Sequence, residues 1–245
     1  MVNKTPALLF AFSLAVGAIA ISAGKASADD KPLTVVELFT SQGCSSCPPA
    51  DRLLGALSER DDLLTLSVHV DYWDYIGWKD AFASPANGTR QRGYASKFQL
   101  RYVYTPQMVV DGAYQAVGSN ASEIDGFIKK AMAAAHVAVA LKRTPDGAEV
   151  TLPASKLDGP AEIVAVYFDR KHDIKVKRGE NGGQTLSYHN VVRKMAPVAV
   201  WQGEAKTIPI ALPKGNGAGE ACAVIVQMQA TRRIVGAAKL PLAGS

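Results

Sequence analysis

The sequence predicts an α/β domain in its first half and an antiparallel, β-rich domain in its second half. Two observations indicate the α/β domain: a Cys-x-x-Cys motif stands between an apolar strand and an amphipathic helix, and another apolar strand follows that helix. One observation indicates the β-rich domain: after residue 136, short apolar segments separated by Pro, Gly and Asn replace the helical period.

Residues 1–28 have the composition of a signal peptide. Lys4 precedes an apolar run from Ala7 to Ala23, and Ala26-Ser27-Ala28 offers small residues for a cut after Ala28. The run is short and rich in Ala and Gly for a membrane anchor, and no second apolar span follows. We therefore expect a periplasmic or secreted protein, without membrane attachment once this segment is removed.

Charge and cysteine content narrow the function classes. The formal net charge is +5, from 27 basic and 22 acidic residues, and there is no Lys/Arg block or basic–aromatic stripe. Composition therefore gives no reason to expect a nucleic-acid partner. Three cysteines are too few for a disulfide scaffold and fit one dithiol plus Cys222, which we expect to be a buried, inert thiol.

The first predicted strand, Leu33–Phe39, ends in a polar turn that carries Cys44 and Cys47. A helix N-terminus has unpaired N–H groups and a partial positive charge, so a thiolate placed there is stabilised. Pro48 and Pro49 fit the first turn of such a helix. This setting favours a redox dithiol, with a structural disulfide or a metal-binding pair as the alternatives that the spacing leaves open.

The second predicted strand, Leu63–Val70, leads into the aromatic-rich loop Asp71–Trp78. Loops that follow parallel strands line the ligand crevice in α/β folds, so we expect this loop beside the Cys-x-x-Cys turn. The candidates for a substrate-binding wall are therefore Tyr72, Trp73 and Trp78, with Asp71 and Tyr75 from the same loop, although such clusters also serve only for packing.

The remainder of the first half completes a sheet. The polar stretch 79–100 predicts a solvated helical insertion. Thr105-Pro106 opens a third strand, because a proline has no N–H to donate to a neighbouring strand and is therefore placed at a strand's first residue. Asp111-Gly112 predicts a hairpin turn into a fourth strand. Ser119 or Asn120 can cap the start of a closing helix, and Glu123 is placed to complete a capping box with Asn120.

No long helix is predicted between residues 137 and 245, which we take as a second domain after a first domain of residues 29–136. The pattern there suggests an antiparallel, sandwich-like arrangement of eight short strands. They are Val137–Leu141, Glu149–Leu152, Ala161–Phe168, Ile174–Lys177, Val198–Trp201, Thr207–Ala211, Ala221–Gln229 and Ile234–Lys239.

The order of elements in residues 29–136 resembles the thioredoxin fold with an insertion after the second strand. The resemblance implies that Cys44 is the nucleophile, Cys47 the resolving thiol and Pro106 a cis proline that faces them. One departure is a proline after the second cysteine instead of between the two. Another is that the buried acid of thioredoxins matches Glu37 only if one loop residue is inserted before Cys44.

A closer resemblance covers nearly the whole chain after residue 28. The segments Glu37–Asp51, His69–Asp80, Thr105–Gln107, Arg178–Asn181 and Asn190–Val192 are similar to a family of secreted bacterial thioredoxin-like proteins. The function of that family is unknown, so this resemblance implies a fold and a dithiol site, but no substrate.

The first functional hypothesis is a thiol–disulfide oxidoreductase that acts on extended protein substrates. Its partners would be protein thiols or disulfides, or a redox partner protein, and it would need no cofactor besides its own disulfide. Glu37 could be a buried base for Cys47, or a strand-edge acid that faces solvent. A cis Pro106 would present the backbone of Thr105 to the substrate.

Two other hypotheses stay open at this point. Cys44, Cys47 and His69 offer ligands suited to copper or zinc, although a strand histidine is more often satisfied by its neighbours. A metal-handling or peptide-binding protein without catalysis would follow. In the remaining hypothesis the second half mediates an interaction and the dithiol is structural.

Overall fold

The structure is a computed structural model that describes Met1, residues 32–212 and residues 219–240. The expected signal peptide and its cut after Ala28 lie outside the described residues, apart from Met1. Within the described part of the chain, no helix is long and apolar enough to cross a membrane.

Three α-helices and eleven strands form the described part of the chain. The first half contains β1 (Thr34–Thr40), α1 (Pro48–Ser58), β2 (Leu63–His69), α2 (Pro85–Lys97), β3 (Gln107–Val110), β4 (Tyr114–Val117) and α3 (Ala121–Met132). The second half contains β5 (Ala140–Thr144), β6 (Gly147–Leu152), β7 (Ala161–Lys175), β8 (Thr185–Trp201), β9 (Lys206–Ile210), β10 (Ala221–Met228) and β11 (Ile234–Lys239).

Strand β1 lies inside the sheet and is buried along its whole length. It pairs in parallel with β2 and antiparallel with β3, and β3 continues into β4 through the predicted hairpin. Gly112 in that turn has a φ of 61°, and a Cβ on it would collide with the carbonyl of Arg232. Both facts require glycine at this position.

Helix α2 is the predicted helical piece of the insertion, but it is not simply solvated. Gln91 and Tyr94 are completely buried, and Tyr94 belongs to the apolar cluster on one face of the sheet. The apolar periodicity of this helix is weak because its buried face includes the polar side chains of Asn87 and Gln91, which form hydrogen bonds.

The second half is β-rich, as predicted, and most of its strands extend the same sheet. Strand β8 pairs in parallel with β2 at Val191 and Ser67, and the eight-stranded order is β11-β10-β7-β8-β2-β1-β3-β4. Strands β5, β6 and β9 form a separate sheet that packs on β7 and β10 through a shared apolar cluster.

The prediction of Ile174–Lys177 as a separate strand was wrong, because β7 runs without a break to Lys175. Strand β8 likewise begins at Thr185, well before the predicted Val198. The two form a long hairpin with register shifts. The end of β7 is mostly polar and exposed, whereas the start of β8 alternates buried Leu186 and Tyr188 with exposed polar residues, so neither forms a continuous apolar run.

The apolar core continues across residue 136. One cluster joins Val35, Phe39 and Val68 of the first half to Val166 and Ile225 of the second. The division into domains at residues 29–136 and 137–245 stays a prediction, with the sheet and this core passing through it.

Candidate functional site

A disulfide joins Cys44 and Cys47 at the start of α1. Cys47 is the N-cap residue, and the two prolines that follow occupy the first positions of the helix, as predicted. Turns fix the loop, since the N–H of Cys44 donates to the Ser41 carbonyl (3.1 Å) and that of Cys47 to the Cys44 carbonyl (3.2 Å). Both predicted thiols are therefore present as one bonded pair.

Both cysteines are buried. Cys44 retains 2% of its accessible surface and Cys47 none, whereas the intervening serines are exposed. The hydroxyl of Ser46 lies 3.5 Å from the Sγ of Cys44. A hydroxyl at this place can donate to a sulfur that becomes negative on reduction, which stabilises the thiolate.

Trp73 connects the disulfide loop to the Thr105-Pro106 segment. Its indole N–H donates to the hydroxyl of Thr105 at 2.7 Å. A Cβ on Gly43 would lie only 3.2 Å from the Cβ and carbonyl oxygen of Trp73, so the two loops are in close contact. The aromatic loop thus lies beside the Cys-x-x-Cys turn, as the sequence predicted.

The Thr105-Pro106 peptide bond is cis. Pro106 lies close to the first turn of α1, because a Cβ built on Gly118 would be within 3.2 Å of the Cβ atoms of both Pro106 and Ala50. The structure therefore brings the disulfide, the aromatic loop and the cis proline to one end of the sheet.

The other aromatic candidates form internal hydrogen bonds. Tyr72 donates its hydroxyl proton to Gln91 at 3.1 Å, and Trp78 donates its indole N–H to Gln42 at 2.7 Å. Tyr75 of the same loop is 80% exposed and stacks on Trp73 with ring centroids 6.4 Å apart.

Glu37 fits neither alternative of the sequence analysis in full. It is completely buried and does not face solvent, and it accepts hydrogen bonds from two guanidinium nitrogens of Arg90 and from the Tyr94 hydroxyl. Side chains alternate along a strand, and Val36 and Leu38 are the residues of β1 that pack on α1. Glu37 therefore lies on the sheet face away from Cys47, so it does not fit a role as its base.

The acid on the side of the disulfide is Asp51, one helical turn after Cys47. Its backbone N–H donates to the Cys47 carbonyl at 3.1 Å, and its Oδ1 accepts from the Thr40 hydroxyl at 2.8 Å. Its Oδ2 is buried without a partner among the described residues. Burial raises the pKa of Asp51 to about 7, and the charge of nearby His69 opposes that rise.

His69 at the end of β2 belongs to the same buried group. Its Nδ1 pairs with the Oδ2 of Asp80 at 2.7 Å, and its Nε2 is another buried atom without a partner in the described part of the chain. The ring of Tyr188 packs against it edge-on, 4.6 Å between centroids. Burial opposes ionisation of Asp80, but the His69 charge and hydrogen bond lower the pKa of Asp80 overall.

This arrangement does not assemble the metal site considered above. Within the described residues no group of three His, Cys, Asp or Glu side chains could hold a metal ion. The Nδ1 of His69 already pairs with Asp80, and Cys44 and Cys47 are bonded to each other. A small cleft of about 130 Å³, lined by Asp51, Arg52 and residues 185–187, lies beside the start of α1.

Together these features define a mixed α/β protein with a large eight-stranded sheet and a disulfide that begins a helix at one end of it. The chain belongs to the DUF1223 family, described as proteins of unknown function, whose model matches residues 35–227. No curated protein matches the chain.

Several chains of solved structures are similar to this one, and they include the following two. The crystal structure of a structural-genomics target protein from Agrobacterium tumefaciens is 34% identical in sequence with a TM-score of 0.74, over 86% of this chain and 95% of that one. HBP35 of Porphyromonas gingivalis is 16% identical with a TM-score of 0.56, over 88% of this chain and 76% of that one. At that identity the second match shows a similar fold alone.

Proposed function

We propose that this protein is an exported thiol–disulfide oxidoreductase built on a thioredoxin-like framework. The observation that carries the proposal is the Cys44–Cys47 disulfide at the N-terminus of α1, in the same place as Trp73 and the cis peptide bond before Pro106. The signal-peptide composition of residues 1–28 supports export.

The path of the chain supports the framework. The segment β1–α1–β2 is followed by α2, the β3–β4 hairpin and α3, and the strands lie in the order β2-β1-β3-β4. Strands β1 and β2 are parallel, and β3 is antiparallel to β1. This connectivity is typical of thioredoxin-like proteins, and the disulfide follows β1 as it does in them.

The chemistry requires only the two sulfurs of this chain and those of a substrate. In the reduced protein the Cys44 thiolate attacks a substrate disulfide, forming a mixed disulfide and releasing one substrate thiolate. The Cys47 thiolate then attacks the Cys44 sulfur, which restores the protein disulfide and releases the second substrate thiolate. Two electrons pass to the substrate, and the same steps run in reverse when a substrate dithiol is the stronger reductant.

The resemblance to the thioredoxin fold assigns the two thiols their roles, with Cys44 as the nucleophile. Both sulfurs are nearly enclosed, and Cys44, which lies before the exposed Ser45 and Ser46, retains 2% of its accessible surface. Cys47 is enclosed and must lose its proton inside the protein. Asp51, on the same face of α1, has a carboxylate oxygen without a partner among the described residues and a pKa of about 7, which suits it to accept that proton.

The substrate in this proposal is an extended polypeptide. The Thr105-Pro106 segment offers backbone groups beside the disulfide, and the exposed ring of Tyr75 adds an apolar surface next to it. Backbone contacts give affinity without selecting a sequence, so several exported proteins could be substrates. The alternative is a single redox partner protein.

A redox titration tests the proposal. The full chain without residues 1–28 is equilibrated with glutathione buffers, and the Cys44–Cys47 pair is followed by thiol alkylation and mass. Reversible exchange, retained by Cys222→Ser and abolished by Cys44→Ser, is expected. A disulfide that does not exchange reversibly under any buffer in the folded protein would rule the activity out.

A trapping experiment identifies the partner. Cys47→Ser should accumulate a mixed disulfide between Cys44 and its substrate, because the resolving attack is missing. Cys44→Ser is the matched control and should accumulate none. Equal trapping by both variants would contradict the assignment of Cys44 as the nucleophile.

A further inference from the structure

The loop between β7 and β8, residues 176–184, contacts the disulfide loop through one buried side chain. Asn181 is 1% exposed, and its Nδ2 donates to the carbonyl of Gln42 at 3.0 Å and to that of Cys44 at 2.9 Å. The partners are 139 and 137 residues away in sequence. A residue of the second half thus forms hydrogen bonds with the nucleophile's own backbone.

The position of Asn181 is itself fixed. The N–H of Gly183 donates to the Val176 carbonyl at 2.9 Å, and the N–H of Gln184 donates to the Asn181 carbonyl at 3.2 Å. The side chain of Gln184 donates to the Oδ1 of Asn181, which orients the amide so that its nitrogen faces the disulfide loop. Asn181 therefore reaches the two carbonyls from a rigid support.

The same loop also contacts the aromatic loop. A Cβ on Gly179 would lie 3.3 Å from the carbonyl oxygen of Ile76 and 3.3 Å from the Cβ of Trp78. Gly179 has a φ of 78°, so glycine is favoured here on both counts. Residues 176–184 are thus in contact with both loops that surround Cys44.

We propose that Asn181 is a positioning residue for the redox chemistry of Cys44, so that the second half of the chain completes the active site. The inference depends on the proposed oxidoreductase function and adds a component to it. It also explains the Arg178–Asn181 motif, for which the sequence analysis gave no chemical role.

The physical reason lies in the charge that develops at Cys44 on reduction. A backbone carbonyl carries partial negative charge, and the Cys44 carbonyl belongs to the residue whose sulfur becomes a thiolate. A donated N–H offsets that charge and holds the carbonyl in place. Loss of the donor leaves a buried carbonyl without this partner, and a carboxylate in its place adds repulsion near the thiolate.

The experiment compares Asn181→Asp and Asn181→Ala with Asn190→Asp in the full chain without residues 1–28. Asn190 is a matched control because it also joins the two halves: its Nδ2 donates to the hydroxyl of Thr65 at 2.9 Å. Thr65 lies near the start of β2, whereas the disulfide lies beyond the opposite end of the paired strands β1 and β2. The readouts are the pH profile of Cys44 alkylation in reduced protein and the equilibrium constant with glutathione.

Asn181→Asp is expected to raise the pKa of Cys44 and to lower its thiolate fraction at neutral pH about tenfold, with a similar change in the equilibrium constant. Asn181→Ala should shift both readouts in the same direction by a smaller factor. Asn190→Asp should leave both unchanged. In the wild type, the Asn181 side-chain amide resonances should move between the oxidised and reduced states, and those of Asn190 should not.

The outcomes separate the two proposals. If the wild type exchanges with glutathione but the Asn181 variants keep its pH profile and equilibrium constant, the positioning role is wrong and the oxidoreductase stands. If Asn181 and Asn190 variants shift the readouts equally, the effect is general destabilisation and the role is also wrong. Should a variant fail to fold, unmoved Asn181 resonances in the wild type would overturn the positioning role. A wild type that does not exchange ends both proposals.

Discussion

Asp51 is a buried acid beside the disulfide. Its pKa of about 7 in the folded protein is above the ordinary 3.8, chiefly because of burial, so the folded state holds its proton more tightly than the unfolded state. The stability from this residue is complete below about pH 4. It is lost as the pH rises towards 7, by roughly 4 kcal/mol in total.

We expect Asp51→Asn to remove this loss. The difference in free energy of unfolding between the variant and the wild type should therefore grow in favour of the variant between pH 4 and pH 8. Urea denaturation across this range measures it, with Asp61→Asn at an exposed position as the control. A constant difference across the range would show that Asp51 titrates at an ordinary pKa.

Glu37 provides a second prediction for a single residue. Glu37→Gln leaves the buried guanidinium of Arg90 without its carboxylate partner, and such a loss typically destabilises a protein by about 3 kcal/mol or more. Because Glu37 lies on the sheet face away from the disulfide, the equilibrium constant of the variant's Cys44–Cys47 pair with glutathione should stay within about twofold of the wild type. A large shift in that constant with little change in urea midpoint would restore Glu37 as the base of Cys47.

At the scale of elements, local signals predicted the parts that local chemistry determines. The helix after the cysteines, the Asp111-Gly112 hairpin and the Asn120 cap of α3 are confirmed, since each depends on a few neighbouring residues. What failed depends on distant partners. The full length of β8 depends on its pairing with β7 and β2. Glu37 is bound by Arg90 and Tyr94, which come from the insertion.

The site shows the same division. The residue pattern alone placed the aromatic loop beside the dithiol, because parallel strands end at one edge of a sheet. The resemblance to the thioredoxin fold added Pro106 to that place. The sequence could not assign Asp51 or Asn181 to the site. A single acid on a helix and an asparagine in a Gly-rich turn carry no pattern until the fold brings them to Cys47 and Cys44.

The aromatic loop yields a prediction at this scale. Tyr75→Ala should change the free energy of unfolding by less than about 0.5 kcal/mol, because the ring is 80% exposed. The same change should raise the KM for a disulfide-containing peptide several-fold, because the ring adds apolar surface beside Thr105. Rates with glutathione are the control and should not change, since glutathione is too small to need the ring. An unchanged KM for the peptide would exclude this loop as a binding surface.

For the whole molecule, the shared sheet and core determine how the chain unfolds. Val166 of β7 is completely buried in the cluster that also contains Val35 and Phe39 of β1, so a loss there is felt in both halves. Val166→Ala removes two buried methyl groups and should lower the free energy of unfolding by about 2 kcal/mol. Hydrogen exchange should then accelerate by a similar factor in β1 and in β10, because the two strands open together.

Val200→Ala is the control, because Val200 lies in the same half but is 47% exposed; it should alter neither the free energy of unfolding nor hydrogen exchange. Acceleration confined to β10 would mean that the halves unfold independently, and that the parallel pairing of Ser67 with Val191 joins two separate domains.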